Sequence, residues 1–143
     1  VRAYRLAVDD YFRDPLIYES RKDFYLSEVK KCTYRQHTTG FFYGMTDHTS
    51  QIYDNNTYQK GAVYLGHVYA VEDGLCFIEQ KNKFSVGDEI EIMKKNGQDT
   101  QVKVLGMKDE YGASMESCPH PGQHIGLLLS EMAEEGDILR MNN

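Results

Sequence analysis

"SVGDEIEIMKKNGQDTQVKVLGM", Ser85 to Met107, holds two alternating runs around an Asn-Gly pair. Ile90 and Ile92 fall on one side of the first run, with Glu89 and Glu91 on the other. Val102 and Val104 repeat that alternation in the second. A period of two is the signature of a strand with one buried face. Asn96-Gly97 supplies the left-handed geometry that a tight hairpin turn requires. The stretch therefore predicts an antiparallel hairpin.

Reading outward, the same texture extends over the second half of the chain. "AVYLGHVYAV", "LCFIEQ", "GASMES", "HIGLLLS" and "DILRM" are short apolar runs separated by turn residues, with no helical period between them. Six or seven such strands predict a small antiparallel barrel or sandwich. Two segments echo each other: "SVGDEIEIM" (85–93) and "EEGDILRM" (134–141) each place Gly-Asp before an alternating strand. Glycine permits the turn dihedral, and the aspartate can bind nearby backbone donors. The order "LGHV", "VGDEIEI", "GQHIGLLL", "EEGDIL" resembles the second domain of translation elongation factor Tu. The expected fold is mainly β: a small antiparallel β-barrel over residues 61–143, similar to that domain.

The first sixty residues read differently. Val1, Tyr4, Ala7, Val8, Tyr11 and Phe12 recur at helical spacing, opposite Arg2, Arg5, Asp9 and Arg13, and Asp14-Pro15 ends the run. Ser20 and Asp23 form an imperfect capping box before a second helix, reaching roughly to Cys32 with Phe24, Val29 and Cys32 inward. Two helices this short need something to pack on. Residues 33–60 show neither period, yet Phe41, Phe42 and Tyr43 are too apolar for a free linker. An ordered connector is expected there. The chain opens on Val1 rather than Met. With its orphan helices, that gives the expectation that residues 1–60 are the end of a missing catalytic core.

Charge and cysteine content narrow the function. The net charge is -6, spread as +2 over residues 1–40 and -8 over 41–143. An acidic second part is a poor partner for phosphate backbones, whose affinity rests on Lys and Arg. Cys32, Cys76 and Cys118 are three widely spaced thiols, the pattern of a reducing, cytoplasmic compartment. No apolar run approaches the roughly 20 residues of a membrane span, and the charged opening is no secretory signal. Asn55–Thr57 fits a glycosylation sequon, read as chance.

One stretch invites a metal. "SCPHPGQHIG" (117–126) places Cys118, His120 and His124 within seven positions. A zinc site takes three or four ligands, and no fourth lies near in sequence, so the set reads as contents of a proline-stiffened loop. Cys118 beside His120 could make a thiol nucleophile, but its surroundings are acidic where a reactive thiol needs positive charge. No serine sits in a G-x-S-x-G elbow and no glycine-rich phosphate loop occurs. Glu89 and Glu91 read as a solvated strand edge. "QKNKF" (80–84) holds Lys81 and Lys83 beside an aromatic, the minimum of a substrate or RNA contact.

"VRAYRLAVDDY", "TYRQHTTGFFYG", "EQKNKFSVGDEIEIM", "CPHPGQ" and "EEGDILR", in that order, resemble the C-terminal end of the collagenase-like, U-thirty-two peptidase family. The match runs nearly end to end, departing at "QKNKF", where the family more often has "QRNKF". The resemblance implies a larger catalytic core preceding these motifs, with any iron–sulfur cluster held by cysteines of that core. Some family members resemble proteins that hydroxylate transfer or ribosomal RNA. The expectation for this chain is a non-catalytic accessory domain without catalytic residues, metal or cofactor of its own. Its partners would be its own core and the protein or RNA substrate of the parent. The alternatives are an RNA-binding barrel and an autonomous protease.

Overall fold

The computed structural model describes residues 1–31, 40–48 and 61–142. Cys32, the sequon and most of the connector read over 33–60 lie outside the described residues. Three helices come first: α1 (Arg2–Arg13), α2 (Pro15–Ser20) and α3 (Lys22–Lys30). The sequence predicts two. Asp14 does end α1, in extended geometry, but its carboxylate then accepts from Leu16 N at 2.9 Å with Pro15 at the first helical position. An N-cap followed by proline starts a helix as readily as it stops one. The Ser20–Asp23 capping box does not form: Ser20 Oγ donates to Ile17 O at 2.8 Å, and Arg21 precedes α3 without a side-chain cap.

The rest is antiparallel sheet. Seven strands run β1 (Ala62–Glu72), β2 (Leu75–Glu79), β3 (Glu89–Met93), β4 (Thr100–Lys108), β5 (Ser114–Met115), β6 (His124–Leu129) and β7 (Ile138–Asn142). Their order is β3-β7-β1-β2-β6-β4-β5, and β3 also pairs with β4, so six strands close on themselves as a ring. β1 makes this possible. Its first half pairs with β7 and its second with β2, with register shifts at Tyr64/Gly66 and Val68/Ala70. Bulges of this kind bend a strand and let it serve two neighbours. Where it passes β2 a side chain has no room: a Cβ on Gly66 would stand 2.8 Å from Glu79 O.

The core lies inside that ring. Leu65, Val68, Ile78, Ile90, Ile92, Val104, Ile125, Leu127 and Leu139 are buried, joined by Phe84 and Cys118 from the connections. Ile90/Ile92 and Val102/Val104 point inward as the alternation predicts.

The sequence echo is a repeated structural device. In 85–88 and in 134–137 the Asp amide bonds back to the first residue's carbonyl, at 3.2 and 3.0 Å. The aspartate side chain accepts from the first residue's amide, at 2.8 and 2.9 Å. Gly87 and Gly136 take φ +94° and +90°, which side chains rarely adopt. Each turn then clamps a valine of a neighbouring strand. Gly87 and Gly136 amides donate to Val104 and Val68 carbonyls, and those valine amides donate to Asp88 and Asp137.

Candidate functional site

The loop 117–126 is pinned by Gln80, which is fully buried at the end of β2. Its side chain donates to Cys118 O at 3.1 Å, its amide to Gln123 O at 2.8 Å, and its carbonyl accepts from Gly122 at 2.7 Å. Cys118 is turned into the core, with Sγ 3.3 Å from Phe84 O, and burial pushes its thiol pKa up. His120 is exposed. His124 is exposed too, its Nδ1 3.2 Å from Tyr69 Oη. Among the described residues no three His, Cys, Asp or Glu side chains gather where one ion could bind them. Burial also lifts the Cys76 thiol, to about 12, so neither described cysteine is a ready nucleophile.

The "QKNKF" patch is poorer than its sequence reads. Lys81 Nζ is held by Glu79 at 2.5 Å, and the aromatic, Phe84, is in the core. Lys83 stays exposed.

Two features were not foreseen. The first is the orientation of α1. Its apolar stripe faces outward, with Tyr4, Val8, Tyr11 and Phe12 exposed and Phe12 at 84%. Of the charged stripe only Arg2 turns to the protein, alongside Leu6 and Asp10; Arg5 and Asp9 pair with each other at the surface, and Arg13 is exposed. Arg2 donates to Asp99 at 2.7 Å, to Glu28 at 2.6 Å and to Lys94 O at 2.7 Å. Arg140 on β7 bonds Glu91, Glu28 at 3.1 Å and Asp99 at 3.2 Å. Lys31 reaches Glu28 at 2.7 Å. Glu91 is thus buried in a seam of three cations and three anions, rather than solvated on an edge. Burial pushes the Glu28 carboxyl up, but Lys31, Arg140 and Arg2 outweigh it and hold its pKa below the ordinary value. Asp99 is depressed likewise, with Arg2 as its chief partner. Asp10, on the inner side of α1, takes hydrogen bonds from Arg21 and from the Tyr25 phenol, tying α1 to α3. Burial and that bond raise the Tyr25 pKa to about 12. Periodicity located two stripes of α1, but the side the fold covers runs between them through Arg2, Leu6 and Asp10.

The exposed stripe continues into Leu16 on α2. A second apolar surface lies at Phe41–Gly44, a turn closed by Gly44 N to Phe41 O at 3.1 Å. Phe41, Phe42, Tyr43 and Met45 are all exposed, Phe42 at 82%. Monomeric domains seldom present apolar surface of this extent without a partner for it.

The second feature is a groove on the outer face of the sheet. Lys108, Gly126 and Phe77 lie in register across β4, β6 and β2. The glycine in the middle leaves a dip between its neighbours. A cavity of about 390 Å³ opens there, bounded by Tyr69, Leu75, Phe77, Lys108, Asp109 and His124. A second, of about 310 Å³, continues it between Asp109–Tyr111 and Pro121–His124.

An antiparallel ring of strands behind short helices, whose loop and turns carry these motifs, defines a small β-rich module. The sequence profile described as "Peptidase family U32 C-terminal domain" matches residues 60–140. The chain belongs to that family. The tRNA hydroxylation protein P1 of Bacillus subtilis (strain 168) is 25% identical over 142 residues. That alignment covers 98% of this chain and 33% of the relative, so the chain spans about a third of its length. Two crystal structures of the C-terminal domain of a Geobacillus thermoleovorans protein assigned to the U32 peptidases share the fold. Both have a TM-score of 0.51, with 21% and 22% identity. They cover 55% and 56% of this chain, and 99% and 92% of their own. No described helix is long and apolar enough to cross a membrane.

Proposed function

We propose that this chain is a non-catalytic accessory region of a U32-family protein, docked through residues 1–60 on the rest of that protein. On this reading residues 61–143 form a small β-barrel, akin to the second domain of elongation factor Tu, that helps position the substrate. The reaction, and any iron–sulfur cluster, belong to the remainder, in the cytoplasm. The observation that carries the reading is the outward apolar stripe of α1. An aromatic or aliphatic side chain gains about 1.5–3 kcal/mol on full burial, and this stripe offers several on a helix already anchored through Arg2 and Asp10.

The test is association in trans. The remainder of the parent, expressed separately, is expected to co-purify with this chain. Tyr4→Ser with Phe12→Ser should abolish that capture and leave the melting temperature of the isolated chain unchanged. Equal capture by the double variant overturns the reading.

The relative's activity favours a second reading, in which the sheet region binds structured RNA through Lys81 and Lys83. Acidity weighs against it, as does the Glu79 partner of Lys81. A transfer-RNA shift assay across a salt series decides: phosphate contacts weaken steeply with salt, and absence of salt-sensitive binding sinks the RNA reading. Autonomous proteolysis is the third alternative. We expect no gelatin cleavage by the purified chain; cleavage lost in Cys118→Ala or His120→Ala would overturn the accessory role.

A further inference from the structure

We propose that the groove over Gly126 is a binding site for an arginine side chain presented by a protein segment. The site goes beyond the docking role and uses none of its residues; nothing lining it belongs to α1–α3.

Its floor exists because β6 carries no side chain where it crosses between Phe77 and Lys108. A Cβ at Gly126 would lie 3.1 Å from Phe77 Cε1, so the ring leans against the glycine backbone. Tyr69 and His124 stand beside it, edge to face with centroids 5.6 Å apart. The lip is acidic. Asp109 holds the β4–β5 turn by accepting from Tyr111 N and Ala113 N at 2.9 and 2.8 Å, which fixes its carboxylate in place. Glu110 follows it and bonds the Tyr111 phenol, raising that group's pKa. The one cation of the lining is Lys108.

Charge selects the guest. Two carboxylates against one ammonium, on a region carrying a net -8, repel a phosphodiester and attract a cation. Aromatic side walls select a flat, weakly hydrated cation over a compact one. A guanidinium stacks on rings and pairs with carboxylates through parallel N–H donors, whereas an ammonium does neither as well.

The test is an amide-shift NMR titration of the 143-residue chain with acetyl-Gly-Arg-Gly amide and, separately, with acetyl-Gly-Gln-Gly amide. The arginine peptide should shift Phe77, Gly126 and Glu110–Gly112 saturably, and the glutamine peptide should not. Glu110→Gln should weaken binding about fivefold, the upper worth of one exposed ion pair. Gly126→Ala fills the floor and should abolish binding; a thermal melt reports whether that variant is folded. Glu110→Gln keeps the proposal testable if it is not. Equal shifts with the glutamine peptide, no shifts, or unchanged affinity in Glu110→Gln overturn the proposal. So does a single-stranded hexauridylate shifting the same amides, which would make the groove a nucleotide site.

Discussion

The two regions of this chain solve the burial problem in opposite ways. Of the sixteen buried apolar residues among those described, fifteen lie in 61–142 and only Tyr25 in the helices. Of the exposed large apolar residues among those described, eleven precede residue 49 and six follow residue 60. The sheet region has an interior of its own. The helices bury little among themselves, and they hold to the sheet region through the ion cluster and Leu6 while their apolar stripe stays largely exposed. A strand ring can close around a core, whereas three short helices on one side of it cannot. The difference teaches that the lead-in takes its orientation from charge while its apolar stripe stays exposed.

The seam offers the hardest way to break that contrast. Arg140→Met leaves Glu28, Glu91 and Asp99 with one cation fewer in a buried setting. Breaking such a cluster costs about 3–5 kcal/mol, read as a lower urea midpoint. If the cost is under about 1 kcal/mol, the level of an exposed pair, the seam is not a fastening.

Leu127→Ala opens the core of the ring and should cost about 2–5 kcal/mol by the same measurement. It should leave the helix seam intact, so the double variant with Arg140→Met should be close to additive.

Gly61 probes the join between the regions directly. A Cβ there would stand 2.8 Å from Lys31 Cα and 2.9 Å from Lys30 O, both backbone atoms that cannot rotate away. Gly61→Ala should cost about 1–3 kcal/mol. Its mark is displaced amide signals in α3, while the amides of β2 and β6 stay put.

The pH dependence follows from Glu28 and Asp99, whose pKa values are depressed in the folded chain. A depressed carboxyl contributes stability that is present above its unfolded pKa and lost as pH falls through the folded one. The urea midpoint should therefore drop in acid. Glu28→Gln with Asp99→Asn should flatten that dependence; an unchanged acid slope would assign it to other carboxylates. The smallest effect is expected at Lys81→Ala, whose exposed pair with Glu79 should leave the melting temperature where it was.

Much of the sheet was legible because its signals are local. Alternation located the strands, Asn96-Gly97 the hairpin, and the repeated Gly-Asp a repeated turn, each needing only neighbours in sequence. Two readings failed where the answer depended on distant residues. Glu91 has the spacing of a solvated edge, but Arg140, 49 residues on, removes it from water. Phe84 looks available for stacking until the ring closes over it. The apolar stripe of α1 reads as a face that needs a partner, and periodicity shows that the face exists but not whether the sheet supplies that partner. The groove left a single trace, Gly126 in the middle of a strand, and that trace acquires meaning only from Phe77 and Lys108 on either side.

The sequence by itself determined the strands, the turns, the inward residues of the ring and the family, because each is written in short-range pattern and ordered motif. Tertiary structure alone decided that α1 is fastened through Arg2 and Asp10 while its apolar stripe stays exposed. Three cations and three carboxylates drawn from both halves of the chain, with Arg140 at their centre, find one another only once the ring has closed.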